Sequence, residues 1–97
     1  MLFTVLFEDN PDLEVDPRAQ LMPAHLDFLE RQAARIRAAG PLSSEGGAAA
    51  GGLWLVEAAD AAEVRALVEE DPFWPTGLRR SVRILTWRQV FVAAASA

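Results

Sequence analysis

The chain has 97 residues, 14 acidic against 9 basic, a net charge of -5 at neutral pH, one histidine and no cysteine. That length supports one domain with a modest core, burying roughly 60 to 65% of its unfolded surface. The acidic balance argues against a phosphate-tracking nucleic-acid surface, and the absence of cysteine removes disulfides and thiolate metal sites.

No stretch approaches the ~18 to 20 apolar residues of a membrane span, and the start MLFTVLFED has neither the basic region nor the cleavage site of a signal peptide. A cytoplasmic protein with no membrane partner is expected. One histidine without cysteine also makes a poor transition-metal ligand set, so no metal is expected.

Residues 2 to 8, LFTVLFE, are apolar at both parities: Leu2 and Leu6 on one side, Phe3, Val5 and Phe7 on the other. This predicts a strand covered on both faces. EDNPDLEVDPRAQLMP then reads as a loop in which Asp16 caps a short turn begun by Pro17. From Pro23 to Ala39, Leu26, Leu29, Ala33 and Ile36 recur at helical spacing, with Arg35 and Arg37 in the last turn and Gly40 as the stop. The stretch GPLSSEGGAAAGG predicts a short strand around Leu42 and a glycine-rich hairpin tip. It lacks the lysine and the strand-turn-helix setting of a phosphate loop.

LWLVEA, residues 53 to 58, is a second two-sided strand. Asp60 and Glu63 form a D-x-x-E capping box ahead of Val64, Leu67 and Val68, and Pro72 ends that helix at Asp71. Residues 79 to 92 alternate as a long strand, and the tail 93 to 97 is expected to fray, leaving 1 to 92 as the domain.

The order strand, helix, strand, strand, helix, strand has a simple α+β solution. It is a ferredoxin-like four-stranded antiparallel sheet with both helices on one face. The other face stays apolar and open, which predicts a homodimer closed sheet to sheet.

Chain direction in this topology collects Glu8 and Asp9, the proline-rich loop, His25 in the first turn of its helix, the glycine hairpin and the EEDPFWPTGL turn on one rim. Three carboxylates, Glu69, Glu70 and Asp71, stand at the negative end of a helix, where the macrodipole disfavours them. A carboxylate that accepts one ring N–H of His25 would fix its tautomer and make a general acid or base. Asp71, stiffened by Pro72, is the first candidate and Asp9 the second. Glu69 and Glu70 are expected to be solvated or paired with Arg79 and Arg80. Phe73 and Trp74 offer a platform for a flat ligand, or else a plug over the core, and Trp54 and Trp87 are expected as core or dimer contacts.

The succession LFTVLFED, RAQLMPAHLDFL, AAGPLSSEGG, LWLVEAADAAEVRALVEEDPF and VRILTWRQVF resembles the YciI-like (YCII-related) family of small bacterial proteins over about residues 1 to 91. Its most specific parts are PAHL (23 to 26), AGPL (39 to 42), DPF (71 to 73) and W-x-x-V-F (87 to 91). The resemblance implies a ferredoxin-like fold of the dimeric α/β-barrel group. It also implies a site centred on His25 and Asp71, with Arg18 matching an arginine often found upstream. Met22 departs from the pattern, standing where members commonly carry a basic residue.

The function expected from these readings is a cofactor-free enzyme. In it His25 moves a proton on a small cyclic or aromatic molecule, Asp71 orients the imidazole, and Arg18, Asp9, Phe73 and Trp74 contact the ligand. The alternative is a homodimer that binds a small molecule or regulates without chemistry.

Overall fold

The computed structural model describes residues 1–94. Strand β1 (Leu2–Asp9) is followed by helix α1 (Arg18–Arg31), strands β2 (Ile36–Ser43) and β3 (Ala49–Glu57), helix α2 (Ala61–Glu70), a 3-10 turn (Trp74–Thr76) and strand β4 (Arg79–Thr86). The sheet is antiparallel throughout, in the order β2-β3-β1-β4. This is the α+β ferredoxin-like arrangement, and β1, at its centre, carries the innermost side chains.

The period-2 pattern of β1 resolves into two faces. Phe3, Val5 and Phe7 are buried, and opposite them the register sets Val56, Trp54 and Gly52 of β3 and Thr86, Ile84 and Val82 of β4. Phe28 of α1 and Val64, Leu67 and Val68 of α2 close this core. On the reverse face Thr4 and Leu6 pair with Leu55 and Leu53, and beside them Leu85 and Trp87 are exposed. The apolar content of both faces, legible from the sequence, thus becomes one core and one open apolar surface.

Three boundaries differ from the sequence pattern. Helix α1 begins at Arg18 and passes through Pro23 instead of starting there. The Asp16-Pro17 turn is itself the helix start, with Asp16 Oδ1 accepting the Arg18 N–H at 2.9 Å. Proline costs the helix one early hydrogen bond, which its first turns tolerate better than its interior. As a result His25 is well inside the helix, not in its first turn, and the macrodipole at the N-terminus does not bear on it. The buried stripe also shifts by one residue: His25 and Phe28 face the core, while Leu26 is 55% exposed.

The helix stops at Arg31, not Ala39, because the next residues are needed as a strand. Ile36 pairs with Val56 and is buried, so the apparent helical repeat through Ile36 is a core position reached from β2. Likewise β3 starts at Ala49, four residues before the expected strand, and only the turn from Ser44 to Ala48 remains of the glycine-rich tip. Gly51 has φ +103°, and a side chain there would overlap the carbonyl oxygen of Phe7. Glycine is required by close approach between strands.

At the other end β4 stops at Thr86, and residues 87 to 94 have no regular structure. Alternation alone did not extend the strand, because β1 begins at Leu2 and offers no further partner beyond the bond from Trp87 N–H to the Leu2 carbonyl. Residues 95–97 of the expected frayed tail lie outside the described residues.

The capping box forms with its return bond displaced by one residue, from the N-cap to Ala59. Asp60 accepts the Glu63 N–H at 2.9 Å, and Glu63 reaches back to the Ala59 N–H at 3.0 Å. Helix α2 then ends at Glu70, with Asp71 turning to extended geometry (ψ 130°) ahead of Pro72.

Candidate active site

That turn directs Asp71 inward, beneath α1. The His25 Nδ1–H donates to Asp71 Oδ1 at 2.9 Å, and the same oxygen accepts the Phe73 N–H at 3.1 Å. The residues are 8% and 4% exposed. A carboxylate already held by a backbone donor is a fixed acceptor, so the imidazole is locked with its proton on Nδ1 and its lone pair on Nε2. The Phe73 ring packs on the imidazole, centroids 4.6 Å apart at 40°.

The isolated acid at a helix end is thereby explained. Its cost to the helix is offset by two hydrogen bonds, both charge-assisted because both donors meet the carboxylate. Glu69 and Glu70, in contrast, are exposed, and among the described residues neither pairs with Arg79 or Arg80. Arg80 goes to Glu8 and Arg79 to Asp9.

His25 Nε2 makes no hydrogen bond among the described residues, where the sole shielded side-chain nitrogen or oxygen lacking a partner is Arg79 Nε. Nε2 is therefore not sealed off, and His25 lines the adjoining cavity of about 250 Å³. The α1 side of this cavity is made by Arg18, Met22, Leu26 and Leu29, and the sheet side by Gly51, Gly52, Trp54 and Arg79. Phe73 and the β2 segment Ala39–Pro41 complete it. An apolar cavity of about 150 Å³ holds one benzene, so this one suits a single substituted ring and not a dinucleotide.

Its polar end is an arginine-carboxylate cluster. Asp9 receives Arg18 Nη2 at 2.6 Å on one oxygen and Arg79 Nη1 at 2.8 Å on the other. Arg18 Nη1 also bonds Asp16 at 2.9 Å. Burial works against the Arg18 charge, but the bonds to Asp16 and Asp9 outweigh it and raise its pKa above the usual value. The backbone N–H of Arg18, ahead of its side chain, holds the Asp16 carboxyl below the usual range. On the outer face Glu8 is lowered by hydrogen bonds from Ser81 and Arg80.

Arg79 was not among the candidates read from the sequence, and a register shift explains why. Strict alternation would put Arg80 on the face of Val82. A bulge opposite Glu8 and Asp9 pairs Glu8 with Ser81 and Asp9 with Arg79, turning Arg79 to the inner side. There its guanidinium lies 4.7 Å over the Phe7 ring. Trp54 and the glycines were likewise not assigned to the site. The faintest available signal was the pair Gly51-Gly52 in a strand, which marks close backbone approach.

Of the residues singled out in the sequence, His25 and Asp71 are brought together, and Arg18 and Phe73 join them at the cavity. Asp9 is behind the wall and reaches it only through its two arginines. Trp74 packs against the core and does not line the cavity, whose aromatic wall comes from Trp54 instead.

Comparison with known families shows a match to the YCII-related domain over residues 1–88. The chain belongs to the YCII-related family. No curated protein matches this YCII-related chain significantly. Among solved structures it is similar to 5-chloro-2-hydroxyhydroquinone dehydrochlorinase (TftG) from Burkholderia phenoliruptrix AC1100, in complex with 2,5-dihydroxybenzoquinone. That likeness has 33% identity and a TM-score of 0.76, and covers 91% of this chain and 94% of the other. Among the described residues of the YCII-related chain, no helix is long and apolar enough to cross a membrane.

Proposed function

We propose that this protein is a cofactor-independent acid-base enzyme acting on a small hydroxylated ring bound in the His25 cavity. The observation that carries the reading is the buried His25–Asp71 hydrogen bond, which leaves Nε2 as a basic nitrogen facing a ring-sized space. The dehydrochlorinase to which the chain is similar acts on such a ring.

In this reading the ring lies between Phe73 and Trp54, and Nε2 takes the proton of a ring hydroxyl. The oxygen's electron pair becomes a carbonyl, and the ring carbon ortho or para to it takes the proton back from the imidazolium. The result is the keto tautomer. Where that carbon bears chloride, loss of a second hydroxyl proton to Nε2 drives out chloride, and HCl has been removed without any redox change. Asp71 remains a carboxylate throughout, orienting the ring and balancing the transient imidazolium. A positioned base of this kind supplies ~10² to 10⁴ in rate.

The second half of the proposal is a homodimer closed by the open face of the sheet, where the apolar side chains of Leu53, Leu55, Leu85 and Trp87 stand together with no element covering them. Sedimentation velocity should show a dimer at micromolar concentration, and Leu55→Arg should dissociate it. A wild-type monomer would remove this half.

The chemistry is tested by incubating the protein with chlorinated and unchlorinated hydroxyhydroquinones under argon, following chloride release and, in D₂O, deuterium uptake at ring carbons by NMR. Turnover that disappears in His25→Gln is expected. Turnover surviving in His25→Gln, or tight binding with neither release nor exchange, would leave the non-catalytic binding dimer as the better account.

A further inference from the structure

We propose that the cavity selects an anionic ring compound and that Arg79, delivered by the β4 bulge, is the residue that reads the charge. The inference rests on the ligand occupying the His25 cavity, as above, but not on any proton being moved there.

Every ionisable side chain lining the cavity is basic: Arg18, His25 and Arg79. This occurs in a chain of net charge -5, and the carboxylates that hold these groups, Asp9, Asp16 and Asp71, do not line the cavity. A recess lined by two arginines and no carboxylate presents a positive face to whatever enters it, and low-dielectric walls of Trp54, Leu29 and Phe73 strengthen that field.

The two arginines are not equivalent. Both terminal nitrogens of Arg18 already donate one hydrogen bond each, Nη2 to Asp9 and Nη1 to Asp16. Arg79 commits only Nη1. Its Nη2 makes no hydrogen bond among the described residues and is not among the shielded atoms, so it keeps a donor open at the wall. The guanidinium is held from two sides, by the Phe7 ring at 4.7 Å and by Asp9 at 2.8 Å. The neighbouring Met22 brings no charge of its own. An ionised hydroxyl or carboxylate on one side of the ring would meet Nη2.

Benzoate and benzamide are a suitable pair of probes, equal in shape and differing in charge at neutral pH. Binding is followed by tryptophan fluorescence and by the NMR signals of the His25 ring. Benzoate should bind the wild-type protein at least ~10-fold more tightly, the worth of one charge-assisted hydrogen bond. In Arg79→Met the ratio should fall at least about 3-fold, toward one, with benzamide affinity unchanged, and Asp9 still has Arg18 to hold it. If that variant does not fold, Arg79→Lys carries the test: an ammonium held by Asp9 has no second planar donor face, and the ratio should drop at least about 3-fold.

Equal affinities in the wild type, no benzoate binding up to its solubility, or a ratio undiminished in both variants would overturn the proposal. His25→Gln separates it from the catalytic reading. That variant should keep the benzoate preference while losing proton transfer, so either claim can fail without the other.

Discussion

Removing Asp71 tests whether the pair at the centre of the site exists as described. Its Oδ1 is the acceptor for two donors, the Nδ1–H of His25 and the N–H of Phe73, and the pair is nearly sealed from water. In Asp71→Ala both donors lose their partner, and each stranded donor costs ~1 to 3 kcal/mol, giving about 2 to 6 kcal/mol in total. A domain of this size has a total stability of about 5 to 15 kcal/mol, so the variant should be severely weakened. Asp71→Asn retains an acceptor oxygen for both donors and loses only the charge-assisted part, about 1 to 2 kcal/mol. Urea denaturation followed by tryptophan fluorescence should rank wild type, Asn and Ala in that order. At ~4 to 8 °C per kcal/mol, the Asn variant should melt about 4 to 16 °C below wild type. An Ala variant within about 0.5 kcal/mol of wild type would mean that these donors are satisfied by water. The buried dyad, and the fixed tautomer derived from it, would then be wrong.

Gly51→Ala should lose more than ~3 kcal/mol or fail to fold, because it adds overlap with Phe7 to an unfavourable φ, and a thermal melt would show it. Phe28→Ala, emptying a fully buried position against Trp54, should cost ~3 to 5 kcal/mol in urea, and a loss under ~1 kcal/mol would contradict that packing. Glu8, whose folded pKa is depressed by Ser81 and Arg80, contributes stability that is present above its unfolded pKa and disappears as pH falls through the folded value. The stability difference between wild type and Glu8→Gln, small because the group is exposed, should therefore close in acid, and a difference that widens below pH 4 would reverse the assigned sign. Nitrogen-15 NMR of the His25 ring should find the neutral form protonated at Nδ1, and an Nε2–H tautomer would contradict the dyad geometry.

The order of elements, the two-faced central strands and the capping box at Asp60 were legible along the chain because each depends on neighbours within a few residues. Periodicity of two marks Phe3, Val5 and Phe7, and the D-x-x-E spacing needs only the first turn of α2. The residue pair at the site was legible for a topological reason. The strand directions set the end of α2 beside the start of α1, and the acid placed against the helix dipole identified itself by its apparent cost. But His25 reaches Asp71 from the middle of α1 and not from the first turn that the pattern predicts.

Other features depended on partners far along the chain. Where α1 stops was decided by the demand of β3 for an edge partner, which turned Ile36 from a helical residue into a strand residue. Which aromatic faces the cavity was decided by packing, which put Trp54 on the wall and Trp74 on the core. Arg79 reached the site through a one-residue bulge, and because strand side chains alternate with period two, such a slip exchanges one arginine for its neighbour without leaving any mark in the local pattern. Local chemistry thus specified the elements and the buried His25–Asp71 pair, while the long-range register between β1 and β4 chose which arginine lines the cavity.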